Sequence, residues 1–321
     1  MTNSHDVWSE FDFYFSTVTS QKYLQKAYEA KNITESKSIS FENTYRFIYY
    51  LEHGKSYLST AKNSPMNIKP MLLFYGYIQL LKACLVVTDP NYPENTQVLA
   101  HGVTSRKKKR QNYEFILDEV KIQKNGLFSH LGTQIFSHTF SEGEKYIMKD
   151  MLFCMPELHS LVEKVSHKKT LLPLQPISEH LVLIPTQILD HYHMSEQRFI
   201  EFAKTYISGE ISIIPEDKKH LQLSLIPKTR LRHQNELLKY HIFEKKYYLP
   251  FDITNQKPLS EILQYYLVLY NLSMLSRYET EWWGELLHSF SNTDYPFIIQ
   301  FTELALQKIP FLIMDLLNSL V

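Results

Sequence analysis

The chain has 321 residues, no net charge, 44% hydrophobic and 21% charged residues, a balance that excludes a disordered polyelectrolyte and allows a large buried core. Glycine is scarce, 8 residues in all against a usual share of about 7%. Neither G-x-G-x-x-G nor G-x-x-x-x-G-K-[ST] occurs, so glycine-rich phosphate loops are excluded.

Cys84 and Cys154 lie in apolar surroundings and predict no disulfide framework. The start, Met1 to Asp6, has neither a cationic nor an apolar signal run. Both observations predict a cytoplasmic protein.

In chain order, Trp8 to Phe15 reads as an irregular aromatic arm, and Ser20 to Lys31 as a helix with Tyr23, Leu24, Ala27 and Tyr28 at helical spacing. Ile33 to Ser40 reads as a polar loop. Glu42 to His53 is a second helix that Gly54 ends or kinks, or whose pattern continues through Tyr57 and Leu58. Pro70 suits the first turn of a helix running to Val87, apolar on most faces and therefore central to a bundle. Its Gln79 and Lys82, and the polar breaks of the tail Tyr295 to Val321, predict core helices rather than membrane spans. Phe115 to Ile122 suggests a strand followed by a turn at Lys124-Asn125-Gly126, and Glu142 to Lys164 a helix interrupted near Pro156.

Prolines 173, 176 and 185 mark a change of substructure. Ser195 caps a helix to Ile207. Alternation in Glu210 to Ile214 and His220 to Ile226, around the polar turn Pro215 to Lys219, predicts a hairpin. A lone hairpin is marginal in water, so it is expected to protrude and lean on helices. Tyr240 to Phe251 supplies another strand. The last third is helical: Leu259 to Arg277, Glu281 to Ser289, and Tyr295 to Leu317 with a break at Pro310.

The densest chemistry lies at His101-Gly102-Val103-Thr104-Ser105 and the run Arg106-Lys107-Lys108-Lys109-Arg110. Guanidinium and ammonium groups, two hydroxyls and an imidazole that titrates near neutrality form an anion-attracting segment suited to phosphate. Arg46 and His53 stand seven positions apart on one helix, hence on one face and about 10.5 Å apart along the axis. An Arg and a His so placed could embrace an RNA phosphate, with His53 as acid or base; an ordinary polar helix face is the simpler reading.

Asp190-His191-Tyr192-His193 offers two imidazoles and a carboxylate, but no third ligand at metal spacing, and reads as a loop. Arg277 beside Glu279 and Glu281 reads as a buried ion-paired corner. Trp282 and Trp283 are candidate partner anchors. No Ser-His-Asp order, G-x-S-x-G or zinc spacing is present.

Tyr45-Arg46-Phe47-Ile48-Tyr49-Tyr50-Leu51, Leu73-Phe74-Tyr75-Gly76, Tyr92-Pro93-Glu94-Asn95-Thr96, His101-Gly102-Val103-Thr104 with its basic run, and Asn271-Leu272-Ser273-Met274-Leu275-Ser276-Arg277-Tyr278-Glu279 resemble the YaaC-like family of Bacillus and relatives. These pieces extend over most of the chain. The resemblance implies no assigned activity; the family's gene commonly lies beside that for IMP dehydrogenase, which implies a link to purine metabolism. More distantly, the apolar helix with Tyr75 and Leu80-Leu81-Lys82-Ala83, then a loop ending in His101-Gly102, resembles the HEPN helical-bundle class. Many of its members are ribonucleases with an Arg–His pair, whose spacing Arg46 and His53 match.

These readings predict an α+β, mostly helical protein: a HEPN-like bundle with small inserted β elements. Residues 1–170 form an N-terminal helical region with the basic loop, 171–256 a mixed α/β insert with the hairpin, and 257–321 C-terminal helices packing on the bundle. The expected function is a non-enzymatic regulatory or interaction protein. It would bind an anionic ligand (a purine nucleotide or RNA phosphate) or a purine-synthesis enzyme such as IMP dehydrogenase, with no metal, cofactor or membrane. The competing reading is a metal-independent ribonuclease using Arg46 and His53.

Overall fold

The computed structural model describes residues 7–106, 113–178, 181–207, 209–214, 219–225, 236–251, 259–288 and 293–321. The protein is mostly helical with three small antiparallel sheets. Helices α1 (Val7–Phe11), α2 (Thr17–Ala30), α3 (Ser36–Lys62) and α4 (Lys69–Thr88) open the chain; α10 (Glu261–Tyr278), α11 (Thr280–His288) and α12 (Asp294–Ser319) close it. α4 packs on α3, α10 and α12, so both ends of the chain share one hydrophobic core. Most residues of α10 are buried, which fits its near-continuous apolar sequence. α4 and α12 are long and apolar enough to cross a membrane, and most of each is buried inside the fold.

Several expectations change. The aromatic arm is helical: α1 is followed by a 3-10 turn over Asp12–Phe15, with Phe11 and Tyr14 buried. α3 starts at Ser36, inside the expected loop, and runs unbroken through Gly54. Gly54 is there for contact rather than termination: a Cβ would stand 2.5 Å from the Leu80 side chain, and one on the facing Gly76 2.9 Å from Tyr57 Cβ. The two glycines let α3 and α4 approach closely. Pro310 lies within α12 without dividing it, because burial on that helix outweighs one missing backbone bond.

Sheet one joins β1 (Val103–Arg106), β2 (Glu119–Ile122) and β3 (Lys145–Ile147), with β2 central. The expected helix from Glu142 is thus β3 followed by short helices α6 (Met148–Phe153) and α7 (His159–Ser166). α5 (Leu127–Phe136) packs on α4 and α10. Sheet two joins β4 (Leu171–Pro173), β10 (Lys246–Pro250) and β9 (Lys239–His241) in that order.

Sheet three has the order β5-β6-β8-β7, with β5 Gln175–Ser178, β6 Leu181–Pro185, β7 Gly209–Ile213 and β8 His220–Leu225. The hairpin β7–β8 forms as expected, although its turn residues 215–218 lie outside the described residues. It does not protrude. Its pairing partner β6 and the helices α8 (Gln187–Tyr192) and α9 (Glu196–Tyr206) give it a core of its own: Val182, Ile184, Ile188, Phe199, Ala203, Ile211, Leu221 and Leu223. Period-two burial along β8 and the register Val182↔Leu223 put these apolar residues on one face. The single-bundle architecture is therefore corrected: two hydrophobic cores stand side by side. Exposed β5, with Pro176, is one edge strand and β7 the other.

A candidate anion site at His101 and Arg277

His101 sits where two loops lock together. Its carbonyl accepts the Tyr266 hydroxyl at 2.8 Å and the Phe128 amide at 3.2 Å. Gly102 (φ 77°) and Gly126 (φ 125°) press so closely that a Cβ on Gly126 would stand 2.3 Å from Gly102 Cα. With its main chain clamped, the ring is held among Phe74, Tyr75 and Tyr270, at centroid separations of 5.1, 6.2 and 5.7 Å. Neither ring nitrogen has a partner among the described residues.

Arg277 completes the arrangement from α10. Nη1 donates to the Tyr75 hydroxyl at 2.8 Å and Nε to the Ser273 carbonyl at 3.2 Å. The guanidinium lies over the rings of Tyr75 (5.4 Å) and Tyr278 (4.9 Å). The expected ion pairing with Glu279 or Glu281 is not found: among the described residues Arg277 pairs with no carboxylate. A guanidinium sandwiched by tyrosines needs no acid to be ordered, so its charge stays available.

Lys82 adds a second cation. It is half-buried over the Tyr50 ring at 5.8 Å, and burial lowers its pKa. The His101 pKa is also lowered, first by burial and then by repulsion from Arg277 and Lys82. Burial raises Tyr270, whereas Arg277 and the Ser105 backbone pull it down. His101, Lys82 and Arg277 thus repel one another, and among the described residues no carboxylate pairs with any of the three. Such a patch can hold a phosphate or carboxylate through charge and fixed donors.

Of the residues singled out in the sequence, His101 and Ser105 lie here, while Thr104 is exposed on the next position of β1. Arg106 ends β1, and Lys107, Lys108, Lys109 and Arg110 lie outside the described residues. Tyr113 donates to Asp118 at 2.5 Å and stacks on Trp282 at 5.1 Å. Trp283 is not a surface anchor: it is 2% exposed and donates to the Met66 carbonyl at 3.2 Å.

Arg46 and His53 are both exposed on α3, and no hydrogen bond or ion pair joins them; Arg46 donates to the Tyr92 carbonyl at 2.7 Å. Asp190 to Tyr192 form the last turn of α8 and His193 its left-handed cap, with His191 packed on Phe251 at 4.4 Å. Sequence reasoning missed Tyr75, Lys82 and Tyr270 and gave Arg277 a structural part. A cleft of about 340 Å³ between the ends of α5 and α9 lies elsewhere, and its Glu236 is already paired with His138 at 3.6 Å.

The protein is a mostly helical α+β protein with an aromatic-lined cationic patch at Arg277. Residues 12–317 match the family described as YaaC-like Protein, and the chain belongs to that family. No curated protein and no solved structure matches it.

Proposed function

We propose that this protein is a non-enzymatic regulatory or interaction protein that binds a phosphate-bearing ligand at Arg277, His101 and Lys82. The carrying observation is the guanidinium of Arg277, ordered by Tyr75 and Tyr278 yet opposite no carboxylate among the described residues. β1 leads from this patch into the basic run Lys107 to Arg110, which extends the positive field in sequence. A purine nucleotide is the first ligand to test, given the purine link that the family resemblance implies. A complex with a purine-synthesis enzyme such as IMP dehydrogenase would be a consequence of that binding. HEPN-type ribonuclease action is the competing reading.

Calorimetric titration with inorganic phosphate, AMP and GMP tests the proposal. Wild type should bind at least one of them, more weakly at higher salt. Arg277→Gln should weaken binding about tenfold or more, as expected for loss of a charge-assisted contact. Binding should raise the His101 pKa, read by NMR, because an anion opposes the repulsion from Arg277 and Lys82. Equal affinity in wild type and Arg277→Gln would remove this patch from the site. RNA cleavage by purified wild type that His53→Ala abolishes would establish the ribonuclease instead.

A further inference from the structure

On another part of the molecule, His159, His241 and Glu244 each offer a ligand atom, and these atoms all lie within 4.8 Å of one another. They come from both cores: His159 opens α7 on the bundle side, whereas His241 ends β9 and Glu244 lies in the turn to β10. We infer that these three residues form a divalent transition-metal site, suited to zinc, that clamps the β9–β10 hairpin to the bundle.

The donor set is two imidazoles and one carboxylate, the composition of open tetrahedral zinc sites that keep a fourth position for water or another ligand. The His241 Nε2 to Glu244 Oε1 separation is 3.4 Å. Two ligands at zinc bond lengths of about 2.0–2.2 Å stand about 3.3 Å apart at a tetrahedral metal. That edge is already formed, and His159 has only to close from within 4.8 Å.

Two supporting contacts orient the ligands. His159 Nδ1 lies 2.6 Å from the Pro156 carbonyl, which requires a proton on Nδ1 and leaves Nε2 unprotonated; its lone pair accepts the Ser160 hydroxyl at 3.3 Å, a contact that a metal would displace. Tyr248 donates to Glu244 Oε2 at 2.6 Å, which leaves Oε1 turned to His241. Burial lowers the His241 pKa and favours the neutral ring a metal needs.

Loading moves one proton. His241 Nδ1 accepts the Glu244 amide at 3.1 Å, so the neutral ring carries its proton on Nε2. A metal on Nε2 moves that proton to Nδ1, and the ring must turn Nδ1–H away from the Glu244 amide, because two N–H donors cannot face each other at 3.1 Å. The ring remains neutral and no proton is lost to solvent. A side opening of about 170 Å³, lined by His159, Glu163, Lys169 and Tyr248, gives the ion access.

The test uses the full chain, stripped with chelator and titrated with Zn²⁺ against a competing chromophoric chelator. Wild type should take up one tight zinc. Glu244→Gln and His159→Gln should each lower affinity by about 100-fold or more, and Tyr248→Phe by about tenfold, as for an outer contact. Co²⁺ should give the strong visible bands of a tetrahedral ion in wild type and not in Glu244→Gln. Glu244 is exposed, so its variant folds and decides the matter even if His159→Gln does not. No zinc retained by wild type at micromolar free metal, or wild-type affinity kept by Glu244→Gln, overturns the assignment.

Discussion

Replacing Lys308 by Met should expose how much this fold depends on one buried cation. Lys308 lies in α12 with its side chain fully buried. Its Nζ stands 2.7 Å from Glu157 Oε1 and 2.5 Å from Glu261 Oε1, and donates to the Tyr240 carbonyl at 2.9 Å. Burial works against the ammonium, but Glu261 and Glu157 outweigh it and raise its pKa; burial likewise raises Glu261, as expected where one cation serves two acids. Methionine fills a similar space but leaves two buried carboxylates without their cation. Breaking such a pair from one side costs about 3–5 kcal/mol, which for a chain of this length lowers the melting temperature by about 4–7 °C.

Urea and thermal unfolding followed by circular dichroism measure the loss. The triple variant Lys308→Met/Glu157→Gln/Glu261→Gln should recover most of it, because the uncompensated charges are gone. Burial raises the Glu261 pKa above its unfolded value, and Lys308→Met removes the cation that opposes this. The gap to wild type should therefore narrow as pH falls towards the unfolded carboxyl range and widen as pH rises through the folded values. A loss under about 1 kcal/mol, or no recovery in the triple variant, would refute the view that this ion cluster is a structural joint.

Asp294 accepts the amides of Phe115 at 2.5 Å and Ile116 at 3.4 Å, and burial raises its pKa to about 6. Its folded value exceeds the unfolded one, so its contribution is full below about pH 4 and declines as pH rises through 6, by at most about 3 kcal/mol. Asp294→Asn should remove that step from urea midpoints measured between pH 4 and 7; an unchanged profile would assign the step to another group. Gly126→Ala should cost about 3 kcal/mol or more, since its Cβ would meet the Gly102 backbone at a φ of 125°. Gly143→Ala, also at positive φ but facing only the flexible end of Lys121, should cost about 1 kcal/mol; equal losses would show that φ alone decides. Arg277→Gln should change stability by under about 1 kcal/mol because the guanidinium has no buried acid to abandon; a large fall in melting temperature would restore the structural reading of that corner.

What the sequence made legible was whatever short-range chemistry decides. α9 begins where Ser195 accepts the Arg198 amide at 3.4 Å, and β7 and β8 follow an alternation visible in the residues themselves. The helix from Lys69 is announced by its proline and its apolar run. Long-range contact decided the rest. Gly54 resembles a helix end until Gly76 and Leu80 are known to face it, and the hairpin resembles a satellite until β6 pairs with β8. The anion patch was half legible: His101 and Ser105 stand beside the basic run, but Arg277, Tyr75 and Lys82 reach them from other helices. Arg277 was assigned to its sequence neighbours Glu279 and Glu281, yet a helix end turned its guanidinium towards Tyr75.

The two cores meet through polar chemistry as well as through packing, and this decides what the junction can do. Lys308 of the bundle holds the Tyr240 carbonyl of β9, Glu157 accepts the Ile242 amide at 3.0 Å, and Lys239 of β9 donates to the Leu259 carbonyl at 2.9 Å just before α10. Apolar surfaces tolerate small slides, whereas buried charges and directed bonds lose much of their worth when displaced by an ångström or so. The β9–β10 hairpin is therefore fixed in register on the bundle, and that fixed register brings His241 and Glu244 to His159. The same argument explains why zinc spacing is missing from the sequence. A site assembled across a junction has its ligands spaced by the fold, with only the His241-x-x-Glu244 fragment left local. Loosening the joint by Lys308→Met should consequently weaken zinc binding without touching a ligand, whereas a zinc affinity indifferent to Lys308 would mean that the hairpin holds its place by other contacts.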